Sequence, residues 1–283
     1  MLSVSGLNYH LNVWDGGGET TVLLLHGYLD VGMTWSFMVD ELGPIDWHIV
    51  APDWRGHGDS DWIGAGGYYH FTDYVRDLEQ IVRQVRRERL IVVGHSMGAM
   101  VASLWAGIEP TSLDGLMLVE GLGPVPVTEA DYPQRMRRWL EQTAPYDAEG
   151  RDRPMKGLAH AESRLSRAFP RQKGEVVKAM TKFATRVSDD GLLRWKYDPL
   201  LTTNSPMPTL PAIALEFWRR VTCPVQWIGG QDSQWSGSRV STWLDHVAGV
   251  ERRILPGIGH MVQNEGSVEL ASELKSFMVR IPD

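Results

Sequence analysis

The feature that most restricts what this chain can fold into is Gly94-His95-Ser96-Met97-Gly98, set between the apolar run Leu90 to Val93 and the small, apolar segment Ala99 to Gly107. The order predicts a buried strand, a sharp turn and a tightly packed helix. Glycines on both sides let the helix pass close to the strand, and the residue at the tip is held in a strained conformation. That residue is Ser96. The turn lifts its hydroxyl out of the sheet, and the Met97 backbone N–H lies at a helix N-terminus, where partial positive charge stabilises a developing oxyanion. Ser96 is therefore read as a nucleophile.

A serine hydroxyl at neutral pH needs a histidine to take its proton, and the histidine needs a carboxylate to fix its tautomer. Both follow in the chain. The apolar run Val225 to Ile228 leads into Gly229-Gly230-Gln231-Asp232, and Arg253 to Leu255 leads into Pro256-Gly257-Ile258-Gly259-His260. Loops at the carboxyl ends of strands are where open α/β sheets place catalytic groups. His260 is read as the base and Asp232 as the acid, with Glu120, at the end of the strand Leu116 to Val119, as the alternative acid. The second oxyanion donor is assigned to the Tyr28 backbone N–H, in the loop His26-Gly27-Tyr28-Leu29-Asp30 that follows the apolar run Thr21 to Leu25. His26 is expected to orient that loop, and Asp53, Arg55 and His57 to form a rigid support without chemistry of their own.

Strand and helix patterns alternate up to Gly123, which predicts a mostly parallel, doubly wound sheet with helices on both faces. Thr72 to Arg87, for example, carries Val75, Leu78, Ile81, Val82 and Val85 at helical spacing. From Pro124 to Arg220 the alternation stops. The expected organisation is a core of residues 1–123 and 221–283 with a helical cap, 124–220, inserted after the sixth strand. Its substrate pocket is expected to include Trp139, Trp195, Trp218 and Trp235, with Met136 and Met155 as further candidates. The inserted segment holds 17 Lys and Arg against 12 Asp and Glu, a charge of +5 on a chain of −7, which leaves −12 on the remainder. Most of these charges are read as solvated faces; a basic segment on an acidic body also suits docking of the one on the other, or drawing in an anionic substrate.

An overall charge of −7 argues against nucleic acid as the main partner. The single cysteine, Cys223, excludes an internal disulfide. No basic segment leads into an apolar one at the N-terminus, and no run approaches the ~20 apolar residues of a membrane span. A cytoplasmic enzyme acting on a small molecule, with no metal, no organic cofactor and no membrane partner, is the expectation.

Taken together, His26-Gly27, Asp53-x-Arg55-Gly56-His57-Gly58-x-Ser60, Gly94-x-Ser96-x-Gly98, Gly230-x-Asp232 and Gly259-His260 resemble the α/β-hydrolase fold superfamily. His26 to Asp30 is similar to the matching stretch of its serine hydrolase-like branch, and Arg194 to Pro199 to a cap-end signature. The resemblance implies an α/β-hydrolase fold and acyl transfer by a carboxylesterase-like serine hydrolase. Relatives that open epoxides or displace halides carry aspartate where this chain has Ser96. Carbon–carbon bond hydrolases and hydroxynitrile lyases on the same triad are the alternatives, ahead of a non-catalytic binding protein.

Overall fold

The computed structural model describes residues 1–123 and 127–282, so the cap boundary expected at Pro124, and Asp283, lie outside the described residues. The chain opens with three short strands, β1 (Leu2–Val4), β2 (Leu7–Tyr9) and β3 (Leu11–Asp15). β1 and β2 pair only with each other, and β3 forms the antiparallel edge of the main sheet. β4 (Thr20–Leu25), helix α1 (Ser36–Asp40), β5 (His48–Pro52), α2 (Phe71–Val85), β6 (Arg89–His95), α3 (Met97–Ile108) and β7 (Gly115–Val119) then alternate. After the inserted segment come β10 (Val225–Gly230), α8 (Ser238–Leu244), β11 (Glu251–Leu255), α9 (Val262–Glu265) and α10 (Ser267–Arg280). The seven-stranded sheet has the order β11-β10-β7-β6-β4-β5-β3, parallel throughout except at β3.

The continuous apolar runs are explained by two covered faces. On β4, Leu23 and Leu25 join the core that α2 and α3 cover, whereas Val22 and Leu24 join the core of α1 and α10. β6 divides the same way, with Leu90 and Val92 on one side and Ile91 and Val93 on the other. Each such buried side chain contributes roughly 1.5–3 kcal/mol by leaving water, which fixes the register of the sheet. The chain winds from β4 to β5 in one direction and then crosses to β6 on the other side of β4. A crevice opens at such a reversal, and both the His26 loop and Ser96 stand at it.

The inserted segment contains α4 (Tyr132–Glu149), α5 (Leu158–Ala168), α6 (Gly174–Ala184), the hairpin β8 (Thr185–Val187) and β9 (Leu193–Trp195), and α7 (Pro211–Trp218). Two expectations need correction. Residues 2–15 make three strands, so the insertion follows the seventh strand in chain order and not the sixth. In addition, α7 packs on α3, with Gly107 against the Phe217 backbone. Trp218 is fully buried there and donates its indole N–H to Ser103 Oγ at 3.0 Å, so it serves the core and not a pocket. Among the described residues no helix is long and apolar enough to cross a membrane.

Close approach of α3 to the sheet depends on Gly98, where an added Cβ would fall 2.3 Å from the Leu25 carbonyl oxygen. Gly98→Ala is therefore expected to cost about 1–3 kcal/mol in urea unfolding. Gly174→Ala, at the exposed start of α6 with open space around it, is expected to be neutral or slightly stabilising.

Candidate active site

Ser96 occupies the turn between β6 and α3 with φ +51° and ψ −112°, a conformation non-glycine residues rarely adopt. Gly94, with no Cβ, leaves room for the Ala99 backbone, which a Cβ there would approach to 2.6 Å. Ser96 N–H donates to the Val119 carbonyl at 2.9 Å, tying the turn to β7. His260, in the loop after β11, places Nε2 3.2 Å from Ser96 Oγ. The imidazole is thus within reach of the hydroxyl proton.

The carboxylate on the other side of the imidazole is Glu120. Its Oε2 lies 2.9 Å from His260 Nδ1, and its side chain is fully buried. Gly230 N–H donates to Oε1 at 2.6 Å, and the hydroxyls of Ser233 and Ser236 donate to Oε2 and Oε1. Glu120 also has a positive φ, +53°. Asp232, read as the acid from sequence, is elsewhere: its side chain is 43% exposed and pairs with Arg171 at 3.0 Å. The expectation fails for a local reason. The loop after β10 turns its backbone N–H and two serine hydroxyls towards β7, so it supplies donors for a carboxylate rather than the carboxylate itself. Ser233 and Ser236, close behind Asp232, were the unread signal.

Neutral imidazoles hold the surrounding loops. His26 Nε2 accepts the Trp54 N–H at 2.9 Å, which leaves Nδ1–H to donate to the Gly27 carbonyl at 2.8 Å. His57 accepts the Leu29 N–H at 3.2 Å, and its other nitrogen faces the Arg55 carbonyl. Burial pushes His26 well below the usual imidazole range and His57 down to about 4. Arg55 makes a two-pronged ion pair with the buried Asp77 at 2.5 and 2.6 Å. These residues support the loop, as expected. His10, Asp53 and Asp59 come close enough to share a cation, but the Asp53 oxygens accept the Gly32 and Asp59 N–H groups, so this carboxylate serves to lock the loop.

A further chain of hydrogen bonds links three loops. His95 Nε2 lies 2.9 Å from the His260 carbonyl, and its Nδ1 is 3.3 Å from Gln263 Nε2, which is also 3.3 Å from Asp30 Oδ2. Burial pushes His95 down to about 3, so it is neutral and donates through Nε2 to the carbonyl.

Ser96 and His260 open into a cavity of about 910 Å³ that Gly27, Tyr28 and Met97 also line. Tyr28 donates its phenol to the Leu201 carbonyl at 2.7 Å. Trp195 and Trp235 line the cavity, and the Trp235 ring lies 6.0 Å from that of His260. Trp139 instead packs edge-on against Tyr68, and Met136 is not among the lining residues. Met155 lines a neighbouring cavity. Trp243, Met100 and Met180 line the Ser96 cavity and were not singled out from sequence.

Burial raises the Asp30 carboxyl to about 7 despite hydrogen bonds from Val31 N–H, Thr34 and Gln263. The native state therefore holds this proton more tightly than the unfolded chain, and stability falls as pH rises from the ordinary carboxyl range towards 7. Asp30→Asn removes that titration. Its stability relative to wild type is expected to rise by about 2–3 kcal/mol between pH 5 and pH 8, measured by urea unfolding of both proteins at each pH.

A model of the alpha/beta hydrolase fold family matches residues 20–282. A serine hydrolase-like protein of Danio rerio is 30% identical over 183 residues, 64% of this chain and 56% of that protein. A human serine hydrolase-like protein is 28% identical over 139 residues, 48% of this chain and 67% of that protein. The matched segment thus spans just over half of the zebrafish relative. Among solved structures, a hypothetical protein from Pseudomonas aeruginosa PAO1 superposes with a TM-score of 0.86 at 27% identity, covering 99% of this chain and 98% of that one. The thioesterase domain from the curacin biosynthetic pathway superposes with a TM-score of 0.82 at 25% identity, covering 97% of each. Because the family match starts at β4 and runs through α10, taking in every strand of the main sheet except its antiparallel edge, the chain belongs to the alpha/beta hydrolase fold family.

Proposed function

We propose that this protein is a serine hydrolase that cleaves a carboxylic ester, or a lactone or thioester, of a small and largely apolar substrate through an acyl-enzyme on Ser96. The observation that carries the reading is the unbroken line Glu120, His260, Ser96, with hydrogen-bonding separations of 2.9 and 3.2 Å, ending in a cavity. His260 takes the Ser96 proton as Oγ attacks the acyl carbon, then gives it to the departing oxygen or sulfur. Water, deprotonated by His260, attacks the acyl-enzyme and releases the acid. Glu120 holds the imidazole in the tautomer with Nδ1–H and stabilises the imidazolium formed in each step.

The backbone N–H groups of Tyr28 and Met97 are assigned to the oxyanion. They suit it because His57 fixes the Leu29 end of one loop and α3 starts at the other residue. The cavity walls support an apolar substrate: Met97, Met100, Leu122, Phe169, Trp235 and Trp243 all contribute. Trp195 and Trp235 remain the sequence-derived substrate contacts. The curated relatives named serine hydrolase-like and the thioesterase domain support hydrolysis of an acyl bond.

The direct test is steady-state hydrolysis of p-nitrophenyl esters of increasing acyl length. Wild type is expected to turn them over, with an optimum that sizes the cavity, and Ser96→Ala to abolish turnover. No cleavage of any ester, lactone or thioester by the folded wild type sinks the reading. The same assay separates the two acids. Glu120→Gln is expected to lower kcat by about 10³–10⁴-fold. Asp232→Asn, at an exposed ion pair, is expected to stay within about twofold of wild type. The reverse pattern returns Asp232 to the triad.

A further inference from the structure

A second cavity, of about 920 Å³, lies within the inserted segment and abuts the Ser96 cavity, because Arg164, Trp195 and Tyr197 line both. Trp195 and Tyr197 are stacked, with ring centres 5.8 Å apart and planes 14° from parallel. Five arginines line this second cavity. Two are neutralised within the protein: Arg194 by Asp152 and Asp190, and Arg151 by the buried Asp198. The other three, Arg153, Arg164 and Arg186, have no carboxylate in ion-pair range among the described residues. Asp189, exposed, is the lining carboxylate left without an arginine.

Each of these three guanidinium groups lies over an aromatic ring. Arg153 is 5.1 Å from the centre of Tyr146, Arg164 5.5 Å from Trp195, and Arg186 5.1 Å from Trp62. Ring contact orients a guanidinium by its face and leaves its in-plane N–H donors for an anion. Arg153 spends one nitrogen on the Gly150 and Asp152 carbonyls. The remaining donors match the planar, two-pronged recognition of phosphate.

We propose that this cavity binds a phosphate-bearing organic anion of about the size of a nucleoside diphosphate, as the remote part of the substrate whose acyl bond is cleaved at Ser96. The binding stands on the geometry of the arginines alone; its role as part of the substrate rests on the acyl-transfer reading above. The five arginines stand against four carboxylates, Asp152, Asp189, Asp190 and Asp198, so what the cavity offers an anion is the three guanidinium groups outside ion pairs among the described residues.

The test is isothermal titration of ADP, inorganic pyrophosphate and adenosine into the folded Ser96→Ala protein, which binds without turning over. Saturable binding of ADP and pyrophosphate is expected, weakening as salt is raised, with adenosine much weaker than ADP. Arg153→Gln and Arg186→Gln are each expected to weaken ADP by about fivefold or more. Arg167→Gln, on the exposed outside of α5 and not lining the cavity, is expected to leave it unchanged. The inference is overturned if neither anion saturates, if adenosine binds as well as ADP, or if Arg167→Gln weakens binding as much as the cavity arginines. Ester cleavage by wild type is read separately. Cleavage without anion binding removes this inference and leaves acyl transfer standing, whereas anion binding without any acyl cleavage keeps the binding site and removes both acyl transfer and the anion's role as part of its substrate.

Discussion

Everything in the site depends on keeping the Glu120 carboxylate buried and charged beside His260. A carboxylate withdrawn from water loses its hydration, so it survives only where donors replace it. Here there are four: His260 Nδ1, the Gly230 N–H and the hydroxyls of Ser233 and Ser236. They come from the end of β10 and the loops after β10 and β11, while Glu120 itself directly follows β7. One side chain therefore locks the carboxyl ends of three adjacent strands. Its left-handed backbone conformation is the strain accepted for that placement.

The other walls of the site are held by groups that have lost their charge. His26, His57 and His95 are buried imidazoles pushed well below their usual range. Each then has one donor and one acceptor nitrogen, and each spends them on loop backbone or on Gln263. This arrangement fixes the His26 loop, the serine turn and the His260 loop relative to one another without placing a second charge near the Glu120–His260 pair. Asp30 completes the chain as a carboxyl whose burial favours its neutral form.

The inserted segment is joined to this machinery by a different device. Arg171, between α5 and α6, reaches the Gly257 carbonyl, Asp232 and Glu265. Glu265 in turn accepts the Gly259 N–H at 2.8 Å, next to His260. Asp232 thus acts as a strut between the insertion and the loop that carries His260. The wall of Trp195 and Tyr197, with Arg164 over it, belongs to the same insertion and separates an apolar chamber from a cationic one.

The sequence by itself determined the sheet, the serine turn and the histidine beside it. Apolar runs such as Val22 to Leu25 and Leu90 to Val93 need two covered faces, Gly94 and Gly98 permit one kind of turn, and His260 sits between a strand end and glycine. All of these are local constraints, readable within a few residues. Tertiary structure alone decided which acid faces His260, because Glu120 and Asp232 both end strands, and the choice depends on where the loop after β10 sends Ser233 and Ser236. It also decided which tryptophans line the Ser96 cavity. Helical spacing shows that Trp218 and Trp139 are covered, but not whether a helix of the core, a tyrosine or a cavity covers them. Arg153, Arg164 and Arg186 were visible as composition, and only the packing of the segment before α5, α5 itself and β8 gathered them around one space. Periodicity reports that a surface is buried or charged; which surfaces meet is set by contacts between residues far apart in the chain.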